Sequence, residues 1–473
     1  MLDQTFTTQP QVGRAIPAAP KWMHSLPAHS LIAGALLLHV LLGPLLTVSP
    51  LLVGAHSAAT ILYGLYQAGF SPRIERAIYV CAYITGAEVL WRMTKTPLFW
   101  ELSKYSVITI LLVAMLRHGM LRMRALPLLF FALLLPSTVL PMINVGTAEL
   151  RNQISFNLSG PLALAICTWF FSQIRLTVPQ LQRIFLAVIC PLLSTAAIAL
   201  MGTVAVSRIN FNNSSNYATS GGYGPTQVSS VLGFGALLIF LWLFQNWQSR
   251  LQKFMLLGVM TLFLVQSALT FSRGGLYAAA GSALLACYFL IHDKRARMQL
   301  IAGVVVLFVV GNFVILPQLD NFTSGALSKR FGNTSLTGRD NIAKGDLQVF
   351  YDNPVFGVGP GEARNYRTDH KQAVAHTEFS RLLAEHGLFG LTALLLMLVM
   401  SWRHLRQAQS RMAKALVIAL TFWSFLFMAS LAMRIVMAAF AFGLTAATLI
   451  VANQAANGPR ENEFIPIPNW RRQ

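Results

Sequence analysis

The chain has 473 residues, of which 55% are hydrophobic and 11% charged, with a formal net charge of +20. Soluble domains carry roughly 25% charged residues, so a soluble monomer is excluded. Nearly unbroken apolar runs of about 17–20 residues recur, long enough to cross a bilayer core of ~30 Å, and the expected fold is an all-α integral membrane protein of about 12–14 transmembrane helices with one long external loop.

In chain order, residues 1–29 are polar and Pro-rich, without the apolar core and small-residue cleavage site of a signal peptide, and read as a cytoplasmic tail. A transmembrane bundle is expected over 30–317, with spans near 30–47, 50–68, 77–93, 104–116, 125–143, 158–174, 184–205, 226–245, 254–270, 275–291 and 299–317. A long polar segment follows at 318–385. C-terminal transmembrane helices are expected over 386–453, with spans near 386–402, 414–431 and 435–453, and a cytoplasmic tail over 454–473.

Basic residues cluster in the short links: Arg73 and Arg76; Arg117, Arg122 and Arg124; Arg175 and Arg183; Arg250 and Lys253; Lys294, Arg295 and Arg297; Arg403, Arg406, Arg411 and Lys414. Threading the spans puts every cluster and both termini on one side, the cytoplasm by the positive-inside rule. That distribution accounts for the net charge without nucleic acid as a partner. Cys81, Cys167, Cys190 and Cys287 all fall in apolar runs and read as small buried hydrophobes, with no disulfide or metal framework.

Candidate chemistry lies on the opposite side. Ser272-Arg273-Gly274-Gly275 sits between two apolar runs with almost no loop. Ser272 can cap the next helix, which puts Arg273 at a positive helix end that attracts anions. Arg273 is then a phosphate or diphosphate ligand, or an arginine snorkelling to lipid headgroups. Arg208 opens a second outward loop that ends in Gly221-Gly222-Tyr223-Gly224-Pro225-Thr226-Gln227, where Pro225 suits a first helical turn. His376, near the end of the 318–385 segment, can accept a proton near neutral pH or serve structurally, and His370 and His386 compete with it by location. Glu88 and Arg92 are spaced i,i+4 at one end of the third span, with Glu101 and Lys104 beside the next outward loop, and read as an ion-pair cluster or as ligand contacts. The 318–385 segment mixes both signs of charge, and Ile342, Leu347 and Phe350 suggest a helix lying against the bundle. No GxxxxGK[ST], HExxH or GxSxG motif occurs, nor a dense acidic cluster on the outward face. ATP-driven transport and metalloprotease chemistry are therefore not expected.

These segments, in order, resemble the O-antigen ligase and O-antigen or exopolysaccharide polymerase family of bacterial membrane glycosyltransferases. His376-Thr377, nine residues, then Gly387-Leu388-Phe389-Gly390 is similar to the family's His, then Asn, Ser or Gln, nine residues and a Gly-x-x pattern, with Thr377 as the departure. Ser272-Arg273-Gly274 is similar to its Ser-Arg-Gly at a span entrance. Gly221 to Gln227 is similar to its Gly-rich Pro-Asn-Gln stretch, with Thr226 in place of Asn. Gly338-Arg339-Asp340, Asn353-Pro354 and Gly357-Val358-Gly359 look like the start of its external loop.

The resemblance covers about residues 205–395. It implies an undecaprenyl diphosphate-linked glycan as donor and a lipid A core or glycan as acceptor, without metal or cofactor. His376 is implied as general base, and Arg208 and Arg273 as ligands of the diphosphate. Gln227, Arg339, Glu88 and Arg92 are expected in supporting roles. The expected protein is an O-antigen ligase of the inner membrane working on the periplasmic face. A repeat-unit polymerase would differ only in acceptor, and a transporter of lipid-linked sugars is the alternative from another class.

Overall fold

The computed structural model describes residues 28–450 apart from 145, 206–208, 210, 213, 246–248, 334–337 and 370–372. The first helices are α1 (Ala28–Thr47), α2 (Pro50–Phe70), α3 (Ile74–Met93) and α4 (Leu102–Arg117). Next come α5 (Ala125–Ala132), a 3-10 turn at Pro136–Thr138, α6 (Val139–Asn144), α7 (Thr147–Phe171), the short strand β1 (Arg175–Thr177) and α8 (Val178–Ala205). Then follow α9 (Pro225–Leu243), α10 (Arg250–Leu269), α11 (Arg273–Leu290), and α12 (Lys294–Val310), which a π-turn joins to α13 (Leu316–Phe322). The polar segment holds α14 (Ala326–Gly332), α15 (Arg339–Asp352) and α16 (Ala363–Tyr366), and the chain ends in α17 (Glu378–Gln407), α18 (Arg411–Leu431), α19 (Val436–Leu444) and β2 (Thr448–Ile450).

The protein is an all-α integral membrane protein. Among the described residues, eight helices are long and apolar enough to cross a membrane by length and composition. The helix α3 has a similar length of 20 residues but carries Glu75, Arg76, Glu88 and Arg92, and it packs between α2, α4 and α8. A hydrogen-bonded chain ties α1, α2 and α3 together. His39 Nδ1 lies 2.8 Å from the Ala35 carbonyl, which can only accept, so the neutral ring takes the Tyr83 hydroxyl proton at Nε2 over 3.2 Å. Trp91 Nε1 donates to His56 Nδ1 at 3.0 Å, which leaves His56 Nε2–H to donate to the Tyr83 oxygen, also at 3.0 Å.

Contacts at the two ends of the bundle keep the links in two sets. At the basic end Arg124 donates to the Ser172 carbonyl at 3.1 Å and Arg411 to the His292 carbonyl at 2.9 Å. At the other end Asn216 N–H donates to the Thr270 carbonyl at 2.8 Å, and Arg330 Nε to the Phe271 carbonyl at 3.0 Å.

The last predicted span, 435–453, is corrected. Among the described residues there, only the nine of α19 are helical, all of them buried, and β2 then pairs in parallel with β1 at the basic end. Nine helical residues rise only about 13–14 Å, and the extended run beyond adds roughly 3.3 Å per residue. Such irregular backbone survives at depth because α7 and α18 enclose it.

Two glycines bring the site-bearing helices together. A Cβ on Gly275 of α11 would lie 2.2 Å from the Ser229 carbonyl oxygen of α9, and one on Gly233 would lie 2.4 Å from that of Gly275. Small residues of this kind let helix backbones touch. The first turns of α9 and α11 therefore open side by side.

The 318–385 segment folds against this end. One face of α15 buries Ile342, Asp346 and Val349, while Leu347, expected on that face, is exposed. The helix α17 begins at Glu378, inside the range expected for the loop.

Candidate active site

The His-to-Gly motif marks a kinked helix start. Thr377 is the N-cap of α17, its Oγ1 accepting from Phe379 N–H at 3.3 Å, a role that Asn or Ser also fills well. Ten residues on, Gly387 breaks the helix with φ 59° and ψ −136°, a conformation open only to glycine. The break frees carbonyls that the 353–359 loop uses. Val358 N–H donates to the Ala384 carbonyl at 3.0 Å and Gly359 N–H to the Glu385 carbonyl at 2.9 Å, while Leu388 N–H donates to the Pro354 carbonyl at 2.7 Å. A Cβ on Gly387 would lie 2.4 Å from that same Pro354 oxygen. The motif is thus a clip that holds the polar segment on α17 with His376 just ahead of the helix.

His376 stands among cations. Burial, then the charges of Arg434, Arg339 and Arg367, hold its pKa down at about 4, so the ring is neutral at pH 7. Its Nδ1 is buried and has no hydrogen-bond partner among the described residues. Arg339 lies at the start of α15, with Nη2 3.4 Å from the Thr226 hydroxyl in the first turn of α9. Arg273, at the first position of α11, is the neighbouring charge that, after burial, lowers the Arg339 pKa, and Arg330 feels both. Arg434 follows α18 and donates from Nη2 to the Ala375 carbonyl at 2.8 Å, directly before His376. Two helix N-termini, three arginines and a neutral histidine therefore converge.

Glu88 and Arg92 border this group. Arg92 Nη2 reaches Glu88 Oε1 at 2.5 Å, the Trp100 carbonyl at 3.0 Å and the Arg434 carbonyl at 3.1 Å. Glu88 Oε2 accepts from Val436 N–H at 2.6 Å, which anchors the first turn of α19. Gln227 Oε1 accepts from the Tyr223 hydroxyl at 2.9 Å, and the Arg92 charge acts on that same tyrosine. Lys104 is fully buried, with Nζ 3.1 Å from Ser159 Oγ.

A second charged group is fully paired. Asp346 takes Arg367 Nε at 2.7 Å and Ser380 Oγ at 2.7 Å, and Arg367 Nη1 donates to the Ala373 carbonyl at 2.6 Å. Arg381 bridges Glu378 and Glu385 and also holds the Asn157 side-chain and main-chain oxygens. Glu378 further accepts from Met433 N–H at 3.0 Å.

The structure gathers Arg273, Arg339, Gln227, Glu88 and Arg92 with His376 at one end of the bundle. Arg208 and His370 lie outside the described residues. His386 is fully buried, with Nδ1 2.5 Å from Ser137 Oγ, and the cation that acts on it is Arg381. Arg434 was not anticipated. Its signal is a lone arginine in Leu431-Ala432-Met433-Arg434-Ile435, between two nearly fused apolar runs, where an arginine costs too much to be idle.

No curated protein matches the chain. Residues 267–395, which run from the end of α10 through the arginine-bearing helix starts, the clip and His376, match the family model described as O-Antigen ligase. Over that stretch this integral membrane protein is similar to the O-antigen ligase family.

Proposed function

We propose that the chain is a metal-independent glycosyltransferase that moves a glycan from an undecaprenyl diphosphate carrier to an acceptor sugar hydroxyl, as an O-antigen ligase does in lipopolysaccharide maturation. The acceptor hydroxyl gives its proton to neutral His376 as its oxygen attacks the anomeric carbon, and the carrier diphosphate leaves with the bonding electrons. Arg273, Arg339 and Arg434, with Arg208, receive the charge that develops on that leaving group, and the first turns of α9 and α11 add their partial positive charge.

The observation that carries this reading is the neutral histidine held beside the guanidinium charges of Arg434 and Arg339. Among the described residues neither Arg339 nor Arg434 forms a salt bridge. An anionic donor both neutralises these charges and raises the basicity of His376, so donor binding prepares the base. A transporter would hold its polar groups near the bilayer midplane, whereas this group lies at helix ends. Purified protein in detergent is expected to transfer a lipid-linked oligosaccharide to lipid A core with EDTA present. Transfer that stops with EDTA and returns with a divalent cation would refute the metal-independent chemistry.

In the same reading the site faces the periplasm of a bacterial inner membrane and the basic end faces the cytoplasm. A cysteine at the exposed position Asn341 of α15 is expected to react with an impermeant maleimide in cells whose inner membrane is intact. Reaction only after permeabilisation of the inner membrane would reverse the orientation.

A further inference from the structure

A cavity of about 1030 Å³ opens beside the cationic group, between the α3–α4 link, the first turns of α7 and the 361–375 loop. Val374 and Ala375 line it, and the next residue is His376. The Ala375 carbonyl is the one held by Arg434. The stretch of backbone that lines the cavity therefore also contacts Arg434 and leads directly into His376.

The lining differs in kind from the cationic group. Phe99, Trp100 and Phe156 supply ring faces, and Asn152 and Gln153 supply amides. Trp100 is 45% exposed, and Arg92 sits 4.2 Å from its ring centroid, so one face is backed by a guanidinium and the other is open to a ligand. Three of the lining arginines are ion-paired: Arg367 with Asp346, Arg381 with Glu378 and Glu385, and Arg364 with Glu149 at 3.6 Å. Glu101 and Arg151 add one charge of each sign. Nothing there selects an anion. Rings that stack on C–H faces beside amides that pair with hydroxyls suit a neutral sugar. The volume is at the upper end of the ~300–1,000 Å³ range of ligand pockets, room for several sugar units.

We propose that this cavity seats the acceptor saccharide, with Trp100 as its stacking platform, so that the acceptor approaches His376 from the side opposite the diphosphate. The proposal rests on the transferase reading, and its test separates the two. The full-length chain carrying Asn152→Cys is labelled with maleimide in detergent. The rate is measured with three additions: core oligosaccharide freed of lipid A, repeat-unit oligosaccharide freed of its carrier, or the intact undecaprenyl diphosphate-linked donor. One of the free oligosaccharides is expected to slow labelling about tenfold at about ten times its Kd, and the donor to leave it unchanged. Trp100→Ala should abolish the protection and raise the acceptor KM with the donor KM unchanged, and Trp100→Tyr should restore both. The proposal is overturned if both free oligosaccharides leave labelling unchanged while the protein transfers glycan, or if the donor alone protects. Protection by a free oligosaccharide in a protein that transfers nothing would instead sink the transferase reading and leave the saccharide site standing.

Discussion

Two groups of buried charge sit on one face of this bundle, and they are built in opposite ways. Around Asp346, Glu378 and Glu385 every arginine has a carboxylate, and the oxygens left over accept from Ser380 and from backbone N–H groups. Around His376, Arg339 reaches the Thr226 hydroxyl and Arg434 the Ala375 carbonyl instead, and burial together with like charge acts on the histidine. A buried charge must be paired or it is strongly destabilising. The paired group can therefore serve as scaffold in the resting protein, and it grips the segment that carries His376 at Ala373 and the link that carries Arg434 at Met433. The group around His376 has the opposite property. Among the described residues Arg339 and Arg434 form no salt bridge, and in the proposed reading the donor diphosphate supplies the missing charge.

The comparison breaks first at His376. His376→Ala is expected to lower single-turnover transfer by ~10²–10⁴-fold, the usual contribution of a general base, with donor binding largely kept. A loss well below ~10²-fold would remove the base assignment. A loss explained by donor binding would make His376 a diphosphate ligand.

Two arginines near His376 come next. Arg273→Lys keeps the charge and loses the planar fork that grips two phosphate oxygens, and Arg434→Gln removes a charge beside the histidine. Each should cost roughly tenfold to a hundredfold in transfer, the value of one charge-assisted hydrogen bond of ~1.5–3 kcal/mol. Unchanged transfer in Arg273→Lys would assign Arg273 to headgroups.

Arg434→Gln also sharpens the electrostatic half of the argument. Neutral His376 is the active form, so kcat/KM of the wild type should fall as pH drops through the depressed pKa of about 4. Removing the largest repelling charge should move that limb upward, toward the ordinary histidine value near 6.5. A limb that stays in place would show that burial alone sets it.

The paired group should have the smallest effect on chemistry. Arg381→Met leaves Glu378 and Glu385 without their cation and should cost about 3–5 kcal/mol of stability, read by thermal unfolding in detergent. Transfer per folded molecule should change little. A protein of normal stability and abolished transfer would mean that this group belongs to the site.

Much of the membrane architecture was legible because lipid imposes a one-dimensional rule. A segment must be apolar for about twenty residues to cross, and its flanking charge tells the side. The expected span 125–143 is broken into α5, a 3-10 turn and α6, and 435–453 is apolar almost throughout, where composition cannot distinguish a helix from a nine-residue helix followed by a strand. Both satisfy the backbone, and pairing with Arg175–Thr177, some 270 residues earlier in the chain, made the choice. Arg273 and His376 could be read locally, one from its helix start and the other from its spacing to Gly387. Arg434 could not, since its role comes from Ala375 and Arg339, which are distant in sequence. Which charges are paired was legible only within a helix, as for Glu88 with Arg92 and for Glu378, Arg381 and Glu385 at three- and four-residue spacings. Arg339 and Arg367 are alike in a polar segment, and only folding put Asp346 beside Arg367. Charge type and span length are properties of single residues and single segments, and the sequence by itself determined them. Pairing depends on distance, because Coulomb energy in a buried site falls with separation and rises as water leaves, and distance between remote segments exists only in the tertiary structure.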